Sequence, residues 1–215
     1  MSEFLSSWLM LVAAFSVALI SPGPDFLLAI RTTLTHGVRA GLWTALGFAL
    51  GILVHVTYTV FGFATLIMHS QFWFAAIKYA GAAYLLWLAY GALRSQGANI
   101  AAFEAQVTNA VPQSHSAQAW AALRQGFVTN VLNPKATLFF VALFSQVIKP
   151  TMPVWVQAGF GLTCAIMCGL WFCVVAFAMG HAKVRMAYLR ASKTIDRVCG
   201  GFFVGLAARL ALSEK

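Results

Sequence analysis

Charged side chains are scarce in this 215-residue sequence: they make up 9% of it and only five are acidic, whereas soluble domains carry about 25%. So few carboxylates leave no acidic cluster for a divalent cation, which needs several oxygen ligands. Enzyme signatures are missing too. There is no H-E-x-x-H, no G-x-S-x-G and no phosphate-binding P-loop, so the sequence implies neither a metal nor a cofactor. The four cysteines, Cys164, Cys168, Cys173 and Cys199, form no C-x-x-C and have no histidine at ligand spacing. They read as small apolar core residues. Period-two alternation is absent from the long apolar runs, which excludes a β-barrel.

What is present is hydrocarbon. Apolar residues reach 61% and the mean hydropathy is +0.81. Six runs stand out: Phe4 to Ile20 and on to Arg31, Ala40 to Met68, Phe72 to Leu93, Gln125 to Ile148, Val154 to Gly180, and Val198 to Leu212. At about 20 residues per crossing, they predict an all-α integral membrane protein of six transmembrane helices. The leading segment MSEFLSSW has no Lys or Arg, so the first run is expected to be a retained span rather than a signal peptide.

The formal charge of +9 is spread between the apolar runs, which argues for topology signals and against a nucleic-acid partner. Arg31, Arg39, Arg94, Arg124, Lys183, Arg185, Arg190, Lys193 and Arg197 fall in the odd-numbered connections. The positive-inside rule then makes those connections cytoplasmic and places both termini outside. The basic run from Lys183 to Arg197 adds contact with lipid headgroups. The polar stretch 94–119 divides the chain into a first three-helix unit (1–93) and a second (120–215). Ile100, Phe103 and Val107 within it have the spacing of a short helix. With three crossings per half, the second half enters the membrane from the opposite side, as in inverted-repeat transporters.

Two motifs interrupt this pattern. Pro22-Gly23-Pro24 ends the first run, and Asn133-Pro134 breaks the fourth, at an offset of 110 residues from Pro24 to Pro134. A proline inside a helix removes a donor and clashes with the carbonyl four residues back. In lipid, such a break survives only against protein or a water-filled cavity. Each break predicts a new half-helix, the second with Asn133 as cap and Pro134 at its first position. The N-terminal ends of these half-helices suit an anion. Asp25 and Lys135 directly follow the two prolines. A charge at mid-membrane costs about 2.5–3.5 kcal/mol, so the two are expected to pair or to share a cavity. Asn130 and Asn133 are candidate capping or substrate contacts. His55 and Tyr58, three residues apart on one helical face, are secondary candidates for a proton relay, with an interhelical hydrogen bond as the plainer role. Gly47-x-x-x-Gly51 and Gly201-x-x-x-Gly205 allow close helix approach or a homodimer.

At these residues the chain resembles the LysE/RhtB family of bacterial amino-acid exporters, of the threonine and homoserine efflux type. The resemblance rests on Ser21-Pro22-Gly23-Pro24-Asp25, on the stretch from Gly37 to Gly51, on Lys78 to Leu85, and on Gly126 to Lys135. It implies a bacterial inner-membrane protein that exports amino acids or close derivatives against protons, working at the two proline breaks. Amino acids, protons and membrane lipids would be its partners. Two alternatives stand beside it: a passive channel for small metabolites, and a membrane protein that handles thiols.

Overall fold

The computed structural model describes residues 2–69, 71–97, 115–148 and 152–212. Among the described residues there are eight helices and no strand: α1 (Ser2–Ile20), α2 (Pro24–His36), α3 (Val38–His69), α4 (Gln71–Arg94), α5 (His115–Val131), α6 (Pro134–Val147), α7 (Val154–Met179) and α8 (Ala182–Leu212). The expected helix around Ile100, Phe103 and Val107 lies outside the described residues.

The prolines set the boundaries that matter. Pro24 and Pro134 begin α2 and α6, where a missing N–H has no intrahelical partner to lose. Asn133 caps α6, its side chain accepting from the Lys135 backbone N–H, as its place before Pro134 predicts. α1 bends into α2 by 55°, and α5 into α6 by 55°. Gly37, with φ of 86°, takes a left-handed conformation that glycine tolerates best, and there α2 turns into α3.

Helix α3 packs along α5 and α7, while α4 packs along α8 and α6. Glycines allow the tightest of these approaches. A Cβ on Gly47 would collide with the backbone of Leu123 and Phe127, and one on Gly126 with the backbone of Thr44. The Gly47-x-x-x-Gly51 spacing therefore serves packing of α3 on α5 within this chain. Gly201 and Gly205, by contrast, face open space. Tilted aromatic pairs fill the centre, with ring centroids 5.4 Å apart for Phe15 and Phe140 and 4.6 Å for Phe48 and Phe172. Cys164, Cys168 and Cys199 are buried among them.

Val38–Phe61 and Val154–Met179 are each long and apolar enough to cross a bilayer, and each bent pair would make one crossing more, four at most. Helices α4 and α8, the other two of six expected crossings, do not meet that measure among the described residues. One expectation is corrected outright. The basic stretch from Lys183 to Arg197 is not a connection but the first half of α8, which runs unbroken to Leu212. No proline interrupts residues 182–212, and the stretch is rich in Ala, Arg, Lys and Leu, all strong helix formers. A polar link ties the end of α4 to α8: Ser95, just beyond α4, donates to the buried Asp196 carboxylate at 2.5 Å.

Candidate functional site

Each proline leaves carbonyls without their usual donors, and the structure shows where those carbonyls go. At the end of α1, Pro24 has no N–H to offer Ile20, whose carbonyl instead accepts from the Tyr188 hydroxyl at 3.4 Å. The carbonyls of Ser21 and Pro22 accept from the Lys135 ammonium at 3.3 and 3.1 Å. The Ser21 hydroxyl accepts from it at 2.9 Å. All three Lys135 N–H bonds thus go to the carboxyl end of α1, the negative end of that helix dipole. Gly23 lies beside this reach, and a Cβ there would sit 3.4 Å from the lysine nitrogen, in van der Waals contact.

The second break has its own substitute donor. Pro134 cannot donate to Asn130, and the Asn130 carbonyl accepts from His55 Nε2 at 2.9 Å and from the Asn133 backbone N–H at 3.0 Å. A carbonyl only accepts, so Nε2 carries the proton. In the neutral ring Nδ1 then accepts from the Tyr58 hydroxyl, 2.7 Å away. His55 is completely buried and stacks on Phe140 at 5.7 Å. The Pro134 carbonyl takes the Tyr84 hydroxyl at 3.2 Å.

Between the two breaks lies a cavity of about 50 Å³, room for a few water-sized groups at about 10–15 Å³ each. Its polar lining comprises Ser21, Gly23, Asp25, Asn130, Asn133 and Lys135, and Phe15, Phe26, Phe139, Phe140 and Phe172 close the rest. Asp25, in the first turn of α2, accepts from Asn130 Nδ2 at 2.7 Å through Oδ2. Its Oδ1 is buried with no hydrogen-bond partner, and so is Asn130 Oδ1. Each such orphan costs about 1–3 kcal/mol. Among the described residues, Asp25 and Lys135 are the only charged ones lining the cavity.

The comparisons with known proteins meet this geometry. The profile of the LysE type translocator family matches residues 16–214. The chain belongs to the LysE type translocator family. An uncharacterized membrane protein of Escherichia coli, YahN, is 32% identical over 93% of this chain and 86% of its own length. The threonine efflux protein of the same organism is 28% identical over 92% of this chain and 94% of its own. Membrane protein YrhP of Bacillus subtilis is 26% identical over 97% of this chain and 100% of its own. No solved structure matches. This LysE type translocator is therefore a multi-pass membrane protein.

The residues singled out in this translocator's sequence converge. Pro22, Gly23 and Pro24 form the first break, Asn133 and Pro134 the second, and Asp25, Lys135 and Asn130 face the space between. Asp25 and Lys135 share the cavity, yet each takes its hydrogen bonds elsewhere: the carboxylate from Asn130, the ammonium with Ser21 and Pro22. His55 and Tyr58 stand behind Asn130 and do not line the cavity. Several participants escaped the sequence reading. Tyr188 binds the freed carbonyl of Ile20 and Tyr84 the carbonyl of Pro134 from helices distant in sequence, which no local pattern reveals. Ser21 stood in the motif Ser21-Pro22-Gly23-Pro24-Asp25 with no role given to its side chain.

Proposed function

We propose that this chain exports amino acids or close derivatives from the bacterial cytoplasm across the inner membrane in exchange for protons. Six crossings in two inverted halves, divided by the stretch 94–119, would form it, with both termini outside. The threonine efflux relatives support an amino-acid substrate. The observation that carries the reading is the cavity itself: two helices broken by proline, each bent by 55°, deliver Asp25 and Lys135 to one shared space. Broken helices around a mid-membrane site are how transporters bind small zwitterions while the halves rock about that point.

In this reading Asp25 is the group that takes the proton, because a buried carboxylate changes its affinity for a proton as the cation and the donors beside it move away. Lys135 supplies the counter-charge and Asn130 and Asn133 the polar contacts. His55 and Tyr58 act behind the site by fixing Asn130, since the carbonyl and side-chain amide of Asn130 that stand between His55 and Asp25 do not titrate and pass no proton on. The relatives are a translocator family and efflux proteins, which supports transport without chemistry on the substrate.

The test is counterflow of a panel of amino acids in proteoliposomes, with and without a pH gradient. An imposed gradient should drive uphill efflux of at least one of them, and an uncoupler should stop it. Efflux that ignores the uncoupler would make the protein a passive channel instead. Asp25→Asn should lose driven transport and still yield folded protein; wild-type driven transport in that variant sinks the proton role of Asp25.

A further inference from the structure

We infer that the cavity recognises its substrate by the α-ammonium group, held by the free oxygen of Asp25 beside Asn130. This rests on the exporter reading and names the chemical class that the site admits. The decisive facts concern which hydrogen-bonding atoms are already engaged. Lys135 spends its three N–H bonds on Ser21 and Pro22. Asn133 Oδ1 is held by the Lys135 backbone, and Asn130 Nδ2 by Asp25. Among the described residues that line the cavity, the buried side-chain oxygens without a partner are Asp25 Oδ1 and Asn130 Oδ1, and both are acceptors.

An unmet pair of acceptors, one of them on a carboxylate, calls for a donor that is also a cation. A primary ammonium has three N–H bonds and a positive charge. A carboxylate placed there would face Asp25 and find its nearest cation already engaged. A bare metal ion would want more oxygens than two. The aromatic walls agree, because phenyl rings such as those of Phe15, Phe139 and Phe140 can attract a cation as well as exclude water. At about 50 Å³ the space takes an ammonium head. The remainder of an amino acid needs the bent helices to part.

Asn130 is held in place for this task from two sides. Gly51 lies so near that a Cβ on it would meet the Asn130 side chain, and His55 fixes the Asn130 carbonyl. The class admitted is thus α-amino compounds, including amides, esters and lactones that lack a free carboxylate. Compounds without the ammonium, 2-hydroxy acids and N-acylated amino acids, are refused.

The experiment measures thermal stabilisation of the purified protein in detergent by matched series built on threonine and leucine: the amino acid, its amino alcohol, its N-acetyl derivative and the 2-hydroxy acid. For at least one series, the amino acid and the amino alcohol should stabilise at concentrations at least tenfold below the other two. Asp25→Asn, checked for a single monodisperse peak, should lose that preference; if it does not fold, the wild-type series alone decides. A 2-hydroxy acid that stabilises as well as its amino acid, with an inactive amino alcohol, overturns the inference and leaves the exporter reading intact. If no member of either series binds and the counterflow panel is silent too, the exporter reading falls and takes this inference with it.

Discussion

His55 donates from Nε2 to the carbonyl of Asn130, 2.9 Å away, and so replaces the N–H that Pro134 lacks. One buried histidine in α3 completes the backbone of a helix broken 75 residues later. The same asparagine holds Asp25 through its side chain, so the histidine acts on the cavity through a single intermediary.

Substituting that donor separates a structural role from a proton-carrying one. His55→Ala should lower stability by about 0.5–1.5 kcal/mol, the net worth of one hydrogen bond, because the Asn130 carbonyl keeps its bond from the Asn133 backbone N–H; the loss is read as a drop in melting temperature in detergent. His55→Gln, which keeps an N–H donor, should recover most of that loss and retain pH-driven efflux. Loss of driven efflux in a His55→Gln protein with wild-type melting would assign the ring a proton-relay role instead.

Pro134→Ala gives Asn130 back its intrahelical donor. The 55° bend between α5 and α6 should relax, since an interior proline disfavours a straight helix by about 3 kcal/mol. We expect unchanged or higher melting temperature with transport reduced at least tenfold. A variant that transports normally would show that the bend itself is dispensable.

Lys135→Met leaves the carbonyls of Ser21 and Pro22 without the donor they share. Hydrogen bonds to charged groups are worth about 1.5–3 kcal/mol each, so this should be the most destabilising of these substitutions. Lys135→Arg should rescue poorly, because a planar guanidinium does not reproduce the compact three-way contact of an ammonium. Melting curves and efflux rates of the two variants decide it.

Gly51→Ala and Gly201→Ala form a matched pair. A methyl group at position 51 would fall 2.5–3.0 Å from Asn130 side-chain atoms, whereas position 201 has nothing within 4 Å. Efflux should fall several-fold in the first and stay near wild type in the second, at equal expression in the membrane. Loss of efflux in Gly201→Ala would mark that face of α8 as a contact with another molecule.

Much of this was legible in the sequence for a simple reason. Proline acts locally: Pro22, Pro24 and Pro134 dictate breaks wherever the chain goes afterwards, and Asn133 before Pro134 dictates a cap. Long apolar runs likewise dictate helices. The basic stretch 183–197 was read as a connection from its charge, while its Ala, Lys and Arg favour a helix continuous with the apolar run that follows. The partners of Asp25 and Lys135 were beyond reach, since Asn130, Ser21 and Pro22 approach them across more than 100 residues. A charge pair suggested by neighbouring prolines became two separate hydrogen-bonded groups once the helices were packed.

Among the described residues one acidic and one basic side chain line the cavity, so with both ionised its walls sum to zero. A zwitterion adds nothing to that sum, and its passage is blind to membrane voltage. A proton travelling the other way adds a full unit. In the exchange proposed above, the return step alone would feel the field, by about 2.3 kcal/mol per 100 mV. Efflux from vesicles clamped with potassium and valinomycin should therefore quicken as the inside is made more negative, even with no pH difference across the bilayer.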